Sequence, residues 1–427
     1  MSRVAVIGAG AMGLAAAYHL LKAGHSVDVY EADRTAGGMA AHFDFDGLSL
    51  ERFYHFICKS DRPTFELLAE LGIADKMRWR DTSMGYFYRG KVHRWGDPLA
   101  LLLFPHLSLI SKIRYGLHVF TSTKRSDWTK LDRIHADDWV RRWGGEEVWK
   151  VLWEKLFTLK FFEYSHDISA AWIWTRLKRV GTSRRHLFQE ELGYIEGGSE
   201  TLVDRLVERI QGMGGRLHLG AKVEEIVVAD NAVSGVRIGG TVDPVDAAIA
   251  TVPMPFIVGL VPALTEKVKQ QYDALRNIGV VCVVHRIAKS ISPHFWLNIN
   301  DDAMAIPGIV EFSRLRDVGG DTIVYVPYYM PTTHPKFSAD SEFLIRESFD
   351  YLKRIQPALT DQDRKASAVG RLRYAQPVCP PRFLESLPPV VSSIRGLQIA
   401  DTSTYYPEDR GISESVRIAR EMAERVA

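Results

Sequence analysis

The chain has 427 residues, 46% of them hydrophobic and 25% charged, with a net charge of +2 at neutral pH. That length predicts two or more domains with large buried cores, and the composition is that of a soluble globular protein. So small a net charge gives no strong field to favour nucleic acid, while three cysteines without a C-x-x-C pair, Cys58, Cys282 and Cys379, and histidines without an H-x-x-x-H pattern argue against a bound metal and for a reducing, cytoplasmic setting.

The first stretch of the chain carries the clearest pattern. Val4 to Ile7 is a short apolar run suited to a buried parallel strand. Gly8, Gly10 and Gly13 follow at G-x-G-x-x-G spacing, and Leu14 to Lys22 reads as a helix that Gly24 ends. In such a unit the first glycine permits a tight turn, the second lets a pyrophosphate approach the backbone, and the third lets helix and strand pack closely. The helix start, at Ala11 and Met12, offers unpaired N–H groups and the positive end of the helix dipole. Val27 to Tyr30 is a second strand, closed by Glu31 and Ala32, and Glu31 stands where a carboxylate bonds a ribose hydroxyl. A strand, three spaced glycines, a helix and an acid in this order predict a dinucleotide-binding unit. FAD and NAD both remain open on this unit alone.

Gly37 and Gly38, shortly after the second strand, complete an E-x-x-x-x-x-G-G pattern. It resembles the extended fingerprint of FAD-dependent amine oxidases, protoporphyrinogen oxidases, phytoene desaturases and UDP-galactopyranose mutases. The resemblance implies non-covalent FAD and a Rossmann-like domain of the glutathione-reductase type, amine-oxidase branch. Many members carry an arginine after the double glycine; here Met39 stands there, with Arg34 nearby as the candidate substitute.

Further along, the segment around Asp46-Gly47 predicts a β-hairpin. His55 follows in a stretch similar to one that the mutases place near the flavin, which makes it a catalytic candidate. Pro63 to Leu71 predicts an amphipathic helix. The segment Leu99 to Ile110 is too short to span a bilayer and holds Pro105; a buried core helix is the expectation, a monotopic surface contact the alternative. Residues 78–185 hold nine of the ten tryptophans and read as a helical insertion for the substrate. Within it, Lys160 resembles a lysine that relatives carry before an aromatic residue, a second catalytic candidate.

Residues 193–226 return to family-like pattern. Gly197-Gly198 precede Ser199, an N-cap candidate, and a helix to Met213. Val223 matches a valine whose backbone meets the adenine edge in the family. Asp246 to Pro253, with Thr251, reads as another buried strand beside the cofactor. Strands at Val280 to Arg286, Gly308 to Phe312 and Thr322 to Tyr329, with a helix at Asp340 to Ile355, predict an antiparallel sheet in the substrate domain. Tyr328 and Tyr329 are candidates to meet a ligand.

The C-terminal stretch predicts a strand at Leu397 to Ala400, Asp401, a loop, and a helix from Ser413. It is similar to the family's closing motif, which implies Asp401 at the pyrophosphate or ribityl side and Ile412 and Ser413 at the flavin. The loop from Tyr405 and Tyr406 to Arg410 looks like the mutases' diphosphate-binding loop, making Tyr405 and Arg410 catalytic candidates and Tyr406 a substrate contact.

These readings predict an α/β protein with a FAD-binding domain from residues 1–75, 190–254 and 390–427, and a discontinuous α+β substrate domain from 76–189 and 255–389. No second G-x-G-x-x-G follows a strand, so electrons must come from a small-molecule substrate and leave to oxygen or another acceptor, or the cycle is redox-neutral. The resemblance implies an oxidoreductase moving a hydride from a C–N or C–C bond to flavin N5; a redox-neutral nucleotide-sugar mutase is the alternative. No transmembrane segment, and no room for a signal peptide before the first strand, are expected.

Overall fold

The computed structural model describes residues 1–426. Five parallel strands form its central sheet, in the spatial order Arg216–Leu219, Ser26–Glu31, Arg3–Ile7, Ala247–Ala250 and Leu397–Ile399. Segments far apart in sequence therefore meet edge to edge. The central strands Arg3–Ile7 and Ala247–Ala250 are short and largely apolar because both faces are covered, whereas the edge strand Arg216–Leu219 is partly exposed and carries Arg216 and His218. Alternation divides the first strand between two layers. Val4 and Val6 join the core with the helices Ala11–Lys22, Ser199–Gly212 and Ile412–Glu424. Ala5 and Ile7 point the other way, into a core shared with Val223, Ile226 and Val236 of a three-stranded antiparallel sheet.

The hairpin forms as expected, His42–Phe45 against Leu48–Glu51, with Asp46 and Gly47 at φ of 53° and 78°. Two positive values are what a two-residue type I′ turn requires. The helix expected at Pro63 to Leu71 runs Arg62–Glu70. Ser199 is the first helical residue rather than the cap, a place taken by Gly198; its hydroxyl donates instead to the Ala40 carbonyl at 2.8 Å.

Above the crevice lies a seven-stranded sheet. Its order is Arg364–Pro377, Asn277–Ile287, Thr322–Met330, Gly308–Glu311, Trp296–Asn300, Met84–Tyr88 and Lys91–Trp95. The expectation of an antiparallel sheet needs correcting at one joint, where Met84–Tyr88 runs parallel to Trp296–Asn300. The same strands correct the all-helical reading of residues 78–185. Met84–Tyr88 and Lys91–Trp95 are a hairpin of this sheet, and Met77–Thr82 pairs with Gln189–Ile195 in another. One face of the large sheet packs on the helix Ser341–Ile355, whose N-cap Asp340 accepts the N–H groups of Glu342 and Phe343. The other face looks into the cavity.

The expected core helix at Leu99 to Ile110 is also corrected. A short helix, Pro98–Leu103, and a longer one, Leu109–Lys124, bracket a turn at Pro105, and most of their apolar side chains are exposed. Proline cannot donate into a continuing helix and disfavours the α conformation of its predecessor, which divides the segment.

Candidate active site

One continuous cavity of about 1660 Å³ runs from the C-terminal ends of the parallel strands to the helical region. It exceeds the ~300–1,000 Å³ of an ordinary small-molecule site and has room for a dinucleotide and a second molecule. Its first end is built of backbone. Gly8 turns at φ of 100°, and a methyl group there would lie 2.8 Å from the Thr251 hydroxyl, itself bonded to the carbonyls of Ile7 (3.0 Å) and Gly8 (3.2 Å). A Cβ on Gly13 would lie 1.8 Å from the Gly8 carbonyl oxygen, so Gly13 serves helix–strand contact and does not line the cavity. Gly10 differs: a Cβ there would meet nothing within 4 Å, so the space above it is open to a ligand. Gly37 donates to the Ala9 carbonyl at 2.8 Å, which ties the double-glycine turn to this loop.

Glu31 accepts the Ala9 N–H at 2.7 Å and the Asp33 N–H at 2.8 Å while lining the cavity. Ala11, Met12, Ala32, Gly38, Met39, Val223 and Thr251 line it too. Arg34 does not; it is exposed on the outside of the turn. Arg52, to which the sequence assigned no role, lines the cavity at this end together with Lys222 and is held by Asp33 at 2.6 Å. It comes from the end of the hairpin, and no spacing rule connects it to Glu31.

Asp401 lines the cavity, but both its oxygens accept backbone N–H groups, from Met254 at 2.8 Å and Ser403 at 2.7 Å. Burial raises its pKa and these donors oppose the rise. Its side chain thus shapes the loop that leads into the closing helix. Ile412 and Ser413 begin that helix and line the cavity, and the Ser413 hydroxyl is buried with no protein partner. A cradle with open space over Gly10, a carboxylate at the strand end and an unpartnered hydroxyl at a helix start fits a flavin dinucleotide.

The second end is built of side chains. Trp95, Leu101, Tyr115, Val119, Trp153 and Leu156 give it an apolar wall. Between this wall and the cradle stand Lys160, Arg176, Arg179 and Arg410. Arg176 pairs with Asp409 at 2.6 Å and Arg179 with Asp61 at 2.8 Å. No ion pair is found for Lys160 or Arg410 among the described residues. The Lys160 ammonium lies 5.1 Å from the Trp172 ring centre and 4.8 Å from that of Tyr329. Arg410 donates to the Ala375 carbonyl and keeps a buried Nε without a partner. Burial, then Arg410 and Arg176, push the Lys160 pKa well below the ordinary lysine value. Burial would raise Asp409, but Arg176, Arg179 and Arg410 outweigh it and hold its carboxyl well below the usual range.

His55 lines the cavity, with its pKa pushed down to about 4 by burial, and is neutral at pH 7. Tyr405 lines it as well, its hydroxyl 2.7 Å from that of Ser415. Two tyrosines are elsewhere. Tyr329 faces the cavity, so its neighbour Tyr328 necessarily faces the opposite side of the sheet, under the Lys336 ammonium at 5.0 Å. Tyr406 is buried behind the wall, and its hydroxyl donates to Asp132 at 2.6 Å. The fold also gathers His135, Asp137 and His166, which are not spaced as a motif; Asp137 is already paired with Arg141 at 2.7 Å.

The family model for flavin-containing amine oxidoreductases matches residues 13–379. A 15-cis-phytoene desaturase of Synechococcus elongatus is 28% identical over 310 residues, which span 65% of this chain and 64% of that protein. A putative protoporphyrinogen oxidase from Exiguobacterium has a similar structure, with a TM-score of 0.76 at 17% identity over 99% of this chain and 98% of the other. A reduced UDP-galactopyranose mutase also has a TM-score of 0.76, at 15% identity, over 100% of this chain and 95% of the other. With its parallel sheet, its glycine cradle and a family match over most of its length, the chain belongs to the flavin-containing amine oxidoreductases.

Proposed function

We propose that the chain is an FAD-dependent oxidoreductase that oxidises a C–C or C–N single bond of a largely apolar small molecule to a double bond, one carbon's hydrogen leaving as hydride to the flavin and the adjacent atom's as a proton to solvent. One observation carries this reading: the glycine cradle and the apolar pocket are two ends of the same cavity. Gly8, Gly10, Ala11 and Met12 hold the pyrophosphate on backbone N–H groups, Glu31 holds a ribose, Val223 borders the adenine, and Ile412 and Ser413 meet the flavin. Bound non-covalently there, the flavin supplies hydride-accepting chemistry. The chain's own contribution is orientation and the exclusion of water. The wall of Trp95, Leu101 and Tyr115 desolvates the substrate. His55, neutral at pH 7, adds no charge beside the ring. Residues 1–75, 190–254 and 390–426 form the cofactor half in this reading.

A second reading rests on Lys160, Arg176, Arg179 and Arg410, which among the described residues form ion pairs with only two carboxylates, Asp61 and Asp409. The surplus positive charge suits an anionic group, as in a redox-neutral mutase acting on a nucleotide sugar, with Arg410 and Lys160 as its holders. Anaerobic mixing of the oxidised protein with apolar polyenes, amines and UDP-sugars separates the two. Bleaching of the flavin by a polyene or amine supports the first reading. Turnover of a UDP-sugar only after chemical reduction overturns it in favour of the second.

A further inference from the structure

The helix Leu109–Lys124 is built inside out. Its buried positions are Ser111, Tyr115, His118 and Ser122, whereas Leu109, Ile110, Ile113 and Phe120 point outward. Ile110 is 71% exposed and Phe120 61%. The preceding short helix adds Leu102 and Leu103, the latter 69% exposed. Spacing puts Leu109, Ile110, Ile113 and Phe120 on one face of the longer helix, and Lys112 donates to the Leu102 carbonyl at 2.7 Å, which sets the end of the short helix beside that face as one ridge. Burying His118 has a cost: its ring lies between Trp139 and Trp143, neither nitrogen finds a partner, and burial pushes its pKa down to about 4. A chain that buries polar groups while exposing six large apolar side chains has an outer environment that is itself apolar.

Charge names that environment. Residues 89–125 hold seven lysines and arginines and one acid, Asp97. Asp97 is buried, where it caps the short helix at Leu99 and Ala100 and pairs with Arg94. The other six cations have no ion pair among the described residues. Arg89 lies over the Tyr88 ring, and Tyr88 packs 4.8 Å from His106 in the turn between the two helices, which sets this cation beside the ridge. The ridge also adjoins the cavity: Leu101, Gly116, Val119 and Phe120 line its mouth. No helix among the described residues is long and apolar enough to cross a membrane.

We propose that this ridge docks on the surface of an anionic phospholipid bilayer, seating its leucines and isoleucines among the acyl chains with the surrounding cations at the headgroups. The cavity mouth then opens towards the apolar layer, and a water-insoluble molecule reaches the site without crossing water. The docking stands whether or not the proposed hydride chemistry is correct.

Flotation of the full flavin-loaded chain with vesicles tests this. With phosphatidylcholine and phosphatidylglycerol vesicles the wild type is expected to float, and to float far less with phosphatidylcholine alone or at high salt. Leu103→Glu with Ile110→Glu should lower the floating fraction about tenfold with melting temperature and flavin content unchanged. Arg89→Glu with Lys91→Glu, which leaves every apolar side chain in place, should remove the preference for phosphatidylglycerol. Wild type that stays at the bottom with mixed vesicles overturns the proposal, as does equal flotation of the Leu103/Ile110 variant. A wild-type dimer in sedimentation that this variant splits would instead make the ridge an interface between copies.

Discussion

The two ends of the cavity are made by different means. At the cradle the ligand-facing surface is largely backbone, and the side chains that matter most are the absent ones at Gly8, Gly10 and Gly13, with Glu31 and the Arg52–Asp33 pair as charged groups beside them. At the far end the surface is side chain: aromatic rings, aliphatic groups and four cations drawn from Lys160, the helix Ala170–Thr182 and the loop before the closing helix. A backbone site tolerates few sequences and recognises what all dinucleotides share. A side-chain site is free to vary and recognises what is particular to one substrate.

The strongest way to break the comparison is to add one methyl group at two glycines. Gly13→Ala places a carbon against the Gly8 carbonyl, an overpacking that costs about 1–3 kcal/mol or more. Both melting temperature and flavin content should fall sharply. Gly10→Ala meets no protein atom within 4 Å, so it should melt like the wild type yet bind FAD more weakly. Equal losses of stability in the two variants would mean that the open space over Gly10 is not a ligand site.

Next in size is Glu31→Ala. The carboxylate accepts the Ala9 and Asp33 N–H groups and, in the proposed reading, a ribose hydroxyl, so FAD affinity should fall by roughly 1–3 kcal/mol, with Glu31→Gln milder, as measured by FAD titration of the apoprotein. Unchanged dissociation constants would remove Glu31 from the site.

At the side-chain end, Lys160→Met is expected to weaken binding of an anionic or polarised substrate about tenfold, or 1.4 kcal/mol, while raising the melting temperature. The lysine's folded pKa is depressed, so the folded state disfavours its charged form. That penalty is full below the folded pKa and vanishes as pH rises past the unfolded value of about 10.4. The gain in the variant should therefore shrink towards alkaline pH. A melting temperature that falls at pH 7 would show that Lys160 is structurally paired.

The smallest effect sharpens the assignment of Arg52 beside the cradle. Arg52→Ala should weaken FAD binding by under about 1 kcal/mol, since the group is partly solvated, and Arg34→Ala should change nothing. The reverse order would restore the role expected of Arg34.

This division also explains what the sequence made legible. The parallel sheet and its cradle could be read because glycine spacing, a strand-ending acid and buried apolar runs are local signals. Arg52, Arg176 and Arg179 could not, since their place depends on a hairpin and a helix folding over the crevice from elsewhere. The exposed ridge is ambiguous in sequence for a related reason. The apolar run Leu99 to Ile110 announces a surface to be covered, and a protein core, the first expectation, and a membrane surface, the alternative, satisfy it equally in one dimension. Tyr328 and Tyr329 show the limit of residue type: adjacent on one strand, they serve opposite faces, and pairing with neighbouring strands decides which.

The most direct test is titration of the apoprotein with FAD, followed by the change in flavin fluorescence, for wild type and Gly10→Val side by side. Wild type is expected to saturate at about one FAD per chain and to release that flavin into the supernatant on acid precipitation, while a folded Gly10→Val shows no saturable binding. Wild type that fails to saturate, or a Gly10→Val protein that binds FAD as the wild type does, would contradict this.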